Sequence, residues 1–209
     1  MIHPDTELRF VSKEVGYGVF ATNLLPKGTI LYARDKLDLV LTPKQYKALD
    51  LKHQDLAEKY SYIDKDGNRI LSWDNAKYVN HRCDCNSMST GYGFEIAIRD
   101  IQQDEEITDE YGLFNLEYPM DVSCGCDHCR KTLLPDDADI HLKEWDAIVE
   151  DALNYVLDVH QPLWDILSTE TIKTLTGYLV GNAPYVSIDE LRYRPMGDAQ
   201  LVSVEQWKH

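Results

Sequence analysis

Three cysteines fall within six residues, in "CGCDHC" at 124 to 129, and two more stand C-x-C at Cys83 and Cys85, in a chain that holds five in all. A C-x-C-x-x-C run offers three thiolates to a zinc ion, and a structural zinc site takes four thiolate or imidazole donors in a tetrahedron. Any fold that completes such a site must carry a distant segment to residues 124–129. Cys83 or Cys85 can supply the missing donor, whereas His128, lodged inside the run, is poorly placed for it. Two other readings stand beside zinc. "CDHC" has the C-x-x-C spacing of thiol-redox sites, although no strand precedes it and no amphipathic helix follows it as in a thioredoxin-like unit. The five thiols could also be unconnected buried cysteines, but such residues rarely crowd into a polar, glycine-containing loop.

The chain has 209 residues, enough for one domain with an appended piece or two small domains sharing a boundary. Its apolar fraction of 44% and charged fraction of 27% are those of a soluble globular protein. No apolar run approaches the roughly 18 residues of a membrane span, so no membrane partner is expected. "MIHPDTELRF" lacks a basic stretch followed by an apolar one, which predicts an intracellular setting with reduced thiols and leaves nucleus and cytoplasm equally open. Acidic residues number 36 against 21 basic ones, a formal charge of −15. Such a surface repels phosphate backbones, which argues against direct nucleic-acid binding, and attracts basic peptides. The acid is concentrated in residues 95–121 and 135–151, which can equally be solvated faces that keep the protein soluble. Nothing in the sequence indicates an oligomeric state.

Short strands are expected over "LRFVS", "GYGVFAT" and "GTILYARD" within residues 8–35, and over "ILSW" (70–73) and "FEIAIRDI" (94–101), the last with Phe94, Ile96 and Ile98 on one face. Thr42, Pro43 and Gln45 form a capping box with proline at the first helical position, and the apolar spacing after them predicts one helix over about 43–60. From Asp139 onward Leu142, Trp145, Ile148, Val149, Ala152, Leu153 and Val156 recur at helical period, a stripe suited to core packing. Pro162 interrupts it, and a further helix is expected over about 168–180, ending at Gly181.

Three fragments acquire meaning from their order: "GYGVFAT" at 16–22, "NHRCDCN" at 80–86 and "DEEITDEYG" at 104–112. Followed by C-x-C-x-x-C, they resemble the SET-domain protein-lysine methyltransferases that carry a cysteine-rich post-SET segment. Gly16, Gly18, Phe20 and Ala21 match the family's G-x-G-x-F-A, and "LPKGTIL" resembles the segment that follows it. Asn80, His81, Cys83 and Asn86 match N-H-x-C-x-P-N, and Glu106 to Tyr111 match E-x-x-x-x-Y.

The resemblance implies an α+β, mainly β fold: the SET-domain β-clip with a pseudoknot in which "EITDEYG" meets "NHRC", a helical insert at about 36–70, and a C-terminal helical appendage. It divides the chain into a SET domain (1–120), a post-SET zinc segment (121–134) and a C-terminal helical region (135–209). It implies one structural zinc ion on Cys83, Cys124, Cys126 and Cys129, with Cys85 spare. It implies S-adenosylmethionine as methyl donor, held by Asn80 and His81 and by the backbone at Gly16, Tyr17 and Gly18, with Tyr111 as the catalytic tyrosine. Tyr60 or Tyr62, preceding the Asn-His motif, are expected to line the lysine channel. The implied acceptor is lysine in a basic protein such as a histone tail.

Departures from the family pattern are concentrated at three places. Cys85 replaces the usual proline and relaxes a backbone restraint, Lys77 stands where an arginine often precedes the Asn-His motif, and Asp109 occupies a position commonly Phe or Tyr. Asp109 either tunes the product state from inside the channel or points to solvent. Two alternatives to a lysine methyltransferase follow: a zinc-stabilised interaction module with weak or no turnover, and a methyltransferase for a non-lysine acceptor.

Overall fold

The computed structural model describes residues 1–195. Small sheets, rather than one large one, organise the β part. The first contains β1 (Thr6–Ser12), β2 (Gly16–Ala21), β10 (Glu106–Asp109) and β7 (Asn80–His81), in the order β1-β2-β10-β7. β10 runs antiparallel to β2, with Ile107 opposite Val19, and parallel to β7, with Thr108 opposite Asn80 and Asp109 opposite His81. That placement is what the expected pseudoknot requires, because it sets the "EITD" segment directly against the Asn-His pair.

A second sheet orders β3 (Ile30–Ala33), β9 (Phe94–Ala97) and β8 (Ser87–Ser89) as β3-β9-β8, and sets Tyr32 opposite Glu95. The insert is less helical than expected. It holds α1 (Pro43–Lys47) and α2 (Leu51–Tyr60), but also a three-stranded sheet of β4 (Leu39–Leu41), β6 (Arg69–Leu71) and β5 (Ser61–Ile63). The helix expected over 43–60 is two helices. The capping box forms, with Gln45 N–H donating to Thr42, but Asp50 then accepts from the His53 amide and caps a second start. A local side-chain cap outcompetes continuation wherever it offers an orphan amide a partner.

After the short pair β11 (Met120–Asp121) and β12 (Thr132–Leu133) come α3 (Asp137–Leu153) and α4 (Thr169–Leu179). α3 ends well before Pro162, and Val156 is buried in the turn beyond it. The apolar stripe does pack inward: Trp145, Val149, Ala152, Leu153 and Val156 join Met88, Phe94 and Ile96 in one buried cluster. A second cluster, with Val19, Leu31, Ile101 and Ile107, lies under the first sheet. The described part of the C-terminal region thus shares its core with β8 and β9; the region's last residues, 196–209, lie outside the described ones. No helix among the described residues is long and apolar enough to cross a membrane.

Sharing a core has a measurable consequence. Leu153 is fully buried, and Leu153→Ala should lower unfolding stability by about 2–5 kcal/mol in one cooperative transition followed by circular dichroism. A separate early transition confined to helix signal would show that the region folds apart from the β part.

Candidate active site

Tyr111 begins a single 3-10 turn directly after β10, and its hydroxyl donates to the Val79 carbonyl at 2.6 Å. Its backbone amide lies 3.3 Å from His81 Nδ1, which is also 3.0 Å from the Asp109 carbonyl. In one tautomer the imidazole donates to Asp109; in the other it accepts from Tyr111. Burial, together with the nearby Arg130 guanidinium, pulls the His81 pKa down to about 4, so the ring is neutral at physiological pH. Burial and the carboxyls of Asp109, Glu95 and Glu106 push the Tyr111 phenol well above its ordinary range. It is a neutral hydrogen-bonding group and not an anion.

Asn80 stitches the first sheet together, its amide donating to the Tyr17 carbonyl at 3.0 Å and to Glu106 Oε1 at 2.7 Å. A Cβ on Gly18 would meet Glu106 Oε1 at 2.3 Å and Asn80 Nδ2 at 3.0 Å, so this position accepts no side chain while those two hold their places. With both amide hydrogens committed, the polar atom Asn80 still offers is its Oδ1 acceptor. Gly16, Tyr17 and Gly18 lie on β2, on the far side of β10 from Asn80 and His81 on β7. The Tyr17 ring meets Tyr78 edge-on at 6.2 Å, and Tyr78 meets Tyr60 at 5.5 Å, so an aromatic chain links this region to the cavity beside it.

That cavity, of about 140 Å³, is lined by Tyr32, Tyr60, Tyr62, Glu95, Asp109 and Tyr111 among others. It gathers the catalytic tyrosine expected from the sequence and all three expected channel residues. Asp109 does not point to solvent. It is 1% exposed, with Oδ1 accepting from the Glu110 amide at 2.7 Å and Oδ2 lacking any hydrogen-bond partner among the described residues. Glu95, Tyr32 and Tyr78 were not singled out in the sequence. Glu95 gave no signal because alternation along "FEIA" assigns it to an open face, whereas β9 is the central strand of its sheet.

The cysteines separate into two groups. Cys85 is buried among apolar side chains of the larger cluster and its thiol is pushed up by burial, so it is a core residue. Cys83, Cys124 and Cys129 place their sulfurs within 4.8 Å of one another. Cys126 stands outside that trio but 3.3 Å from Cys124, since Gly125, at φ +75°, turns the chain between them. Zinc–thiolate bonds of about 2.3 Å in a tetrahedron imply sulfurs about 3.8 Å apart. Cys83, Cys124 and Cys129 therefore fit the ion by donor chemistry and spacing, and Cys126 offers a fourth thiolate of the right chemistry beside Cys124. Around Cys124, burial that would raise the thiol is outweighed by backbone hydrogen bonds and by contacts with the Cys126 and Cys129 thiols, so its pKa falls. His81 Nε2 lies 3.3 Å from Cys83 Sγ, which joins this cluster to the Asn-His strand.

A family model described as the SET domain matches residues 16–112, a span that begins at the first motif glycine and ends just past Tyr111. Residues 16–112 are thus similar to the SET domain. The matched span carries "GYGVFA", the Asn-His strand and "EITDEYG", and stops short of the "CGCDHC" run and of α3. Members of this family are typically protein-lysine methyltransferases. Among solved structures, the crystal structure of a Plasmodium falciparum putative histone methyltransferase is similar to this chain at 18% identity and a TM-score of 0.38, covering 53% of this chain and 95% of the other. A search of curated proteins finds no match to the chain.

The acids in the cavity give a pH signature. Burial raises Glu95 to about 7 against the opposing pull of its hydrogen bond with Asp109 and of the N-terminal ammonium, and burial with Glu95 as neighbour raises Asp109 well above its ordinary range. An acid whose folded-state value is raised holds its proton better in the native state than in the unfolded chain, so the stability it lends below about pH 4 is lost as pH climbs through 7. Glu95→Gln should therefore gain melting temperature over wild type between pH 5 and pH 8, by about 2–4 °C for each 1 kcal/mol relieved. A difference that stays flat across that range would show that Glu95 ionises as freely in the native state as in the unfolded chain.

Proposed function

We propose that the chain is an S-adenosylmethionine-dependent protein-lysine N-methyltransferase acting on a basic protein, with a histone tail as the first candidate substrate. The observation that carries this reading is the position of Tyr111, whose hydroxyl is held by the Val79 carbonyl where the Asn-His strand meets a cavity walled by tyrosines.

S-adenosylmethionine, when bound, supplies a methyl group activated on a sulfonium. The residues that would hold it are Asn80 and His81 with the backbone at Gly16, Tyr17 and Gly18. The Oδ1 of Asn80 suits an ammonium, and a neutral His81 suits an uncharged ring. Methyl transfer to nitrogen is an in-line displacement, so the protein's task is to hold acceptor and donor at near-attack distance and to exclude water. The Tyr32, Tyr60 and Tyr62 rings give the cavity narrow, apolar walls with polar tips, which admit a lysine stem and desolvate its head. An ordinary lysine, with a pKa of about 10.4, is charged at neutral pH, and desolvation favours loss of its proton. Because its phenol stays protonated, Tyr111 orients the amine and the transferring methyl and does not act as a base.

Zinc would brace this arrangement without joining the chemistry. Bound to Cys83, Cys124, Cys126 and Cys129, it would tie residues 121–134 to the strand that carries Asn80 and His81. The need for reduced thiols goes with an intracellular setting. The formal charge of −15 raises the encounter rate with a basic substrate and disfavours nucleic acid.

Two measurements test the reading. Labelled methyl from S-adenosylmethionine should appear on lysine in core histones with the wild-type protein and fall by about 100-fold or more with Tyr111→Phe; label on another residue type favours a different acceptor, and cofactor binding without label favours an interaction module. Elemental analysis should find one zinc per chain, lost in Cys124→Ser together with affinity for S-adenosylmethionine. Full zinc retention in that variant would refute the four-cysteine cage.

A further inference from the structure

The mechanism above leaves two acidic side chains in the cavity without a task. Glu95 comes from β9 and Asp109 from the end of β10, and both line the space that Tyr111 adjoins. Burying a carboxyl with an unmatched oxygen is expensive, about 1–3 kcal/mol or more for a charged group. Asp109 is 1% exposed, and no N–H or hydroxyl donor reaches its Oδ2; the neighbour its side chain does meet is the Glu95 carboxyl, another acid. Among the described residues no cationic side chain forms an ion pair with either acid, and the N-terminal ammonium, whose charge is felt at Glu95, is held by Asp35 and the Ala33 carbonyl. The basic residues on the same cavity are engaged elsewhere: Arg69 with Glu117, Lys77 with the carbonyls of Trp73 and Asp74, and Lys59 over the Tyr60 ring. An acidic pair in a tyrosine-walled cavity, with no ion-paired cation among the described residues, has the chemistry of a site whose cation arrives from outside.

We propose that Glu95 and Asp109 form a cation-receiving pair that binds the acceptor's primary ammonium in the cavity and takes its proton, delivering a neutral amine beside the Tyr111 hydroxyl. This deepens the lysine reading and rests on it. In the step, an N–H bond of the ammonium breaks and an O–H bond forms on the pair, which passes from one shared proton to two. The neutral amine would then take the methyl group that bound S-adenosylmethionine supplies, a C–N bond forming as the C–S bond breaks and a neutral thioether leaves; the methylated ammonium would depart and the pair would return one proton to water through the cavity mouth. The raised values of both acids suit this role, because two adjacent carboxyls near neutral pH hold one proton between them and keep one negative charge.

The test separates charge from shape. Butylammonium and 1-butanol, similar in size and different in charge, are titrated into the full-length, zinc-loaded protein at pH 7 and constant ionic strength, with amide NMR shifts as readout. Wild type should bind the ammonium about tenfold more tightly than the alcohol. Asp109→Asn and Glu95→Gln should each bring the ratio toward one while butanol affinity stays constant, an outcome a merely structural role would not produce. Equal binding of the two probes by wild type, binding of neither, or an unchanged ratio in both variants would overturn the proposal. If the ratio collapses as expected while histones remain unlabelled, the cation site stands and the lysine reading fails. If histones are labelled and both variants keep the wild-type ratio and rate, the lysine reading stands and the pair has no such role.

Discussion

Strand β10 has hydrogen-bonded neighbours on both edges, β2 on one side and β7 on the other, and the site exists because of that double pairing. Four residues suffice for it. Ile107 opposite Val19 buries one face in the smaller core, while Asp109 opposite His81 fixes the register at which the chain leaves the sheet. A shift of one residue would exchange the two faces, removing Ile107 from the core and turning Asp109 away from the cavity. Tyr111 inherits its place from this register, and its bond to Val79 O then ties it to the residue just before β7.

A second constraint reaches the same spot from the C-terminal side. Arg130 grips both oxygens of Glu110, at 2.6 and 2.7 Å, and reaches Asp137 in the first turn of α3 at 3.0 Å. Its backbone amide donates to Cys83 Sγ at 3.4 Å, and its guanidinium lies 5.7 Å from the Trp145 ring centre. One side chain thus connects the residue before Tyr111, the cysteine cluster and α3. Glu110 is almost fully buried, and removing one partner of such a pair typically costs about 3–5 kcal/mol because the other is left charged and unmatched. The coupling explains in physical terms why cysteine chemistry and tyrosine chemistry belong to one structure although their residues are far apart in sequence.

Local signals were legible and long-range ones were legible only in part. The Thr42–Gln45 box, the α3 stripe and the stop at Gly181 follow from rules that act within one or two turns, and each has its counterpart in the fold. The break at Asp50 obeys the same capping rule and was masked by the apolar period running across it. The order β1-β2-β10-β7 has no local signature, since β10 and β7 are too short to announce a register; only the motif sequence suggested it. Among site residues, Tyr111, Tyr60, Tyr62 and Asp109 meet at one cavity, while Asn80 and His81 lie along the adjoining strand. Glu95 escaped because a polar residue alternating with apolar ones reads as solvated. In the fold the same residue, half-buried, faces a cavity.

The acidity of the chain then operates over two distances. Surface carboxylates act through a field that salt screens beyond about 10 Å, so they raise the frequency with which a basic segment arrives and contribute little to where it settles. Buried carboxyls act over a few ångströms in a medium of low polarity, where a second ionised oxygen beside Asp109 costs stability unless a proton or a cation offsets it. A protein that needed only solubility could place all its acid on the outside. Two carboxyls kept in a tyrosine-lined cavity beside Tyr111 lower the stability of the empty protein when both are ionised, and a shared proton or a cationic occupant offsets that cost, which on the proposed reading makes the site select for charge as well as for shape.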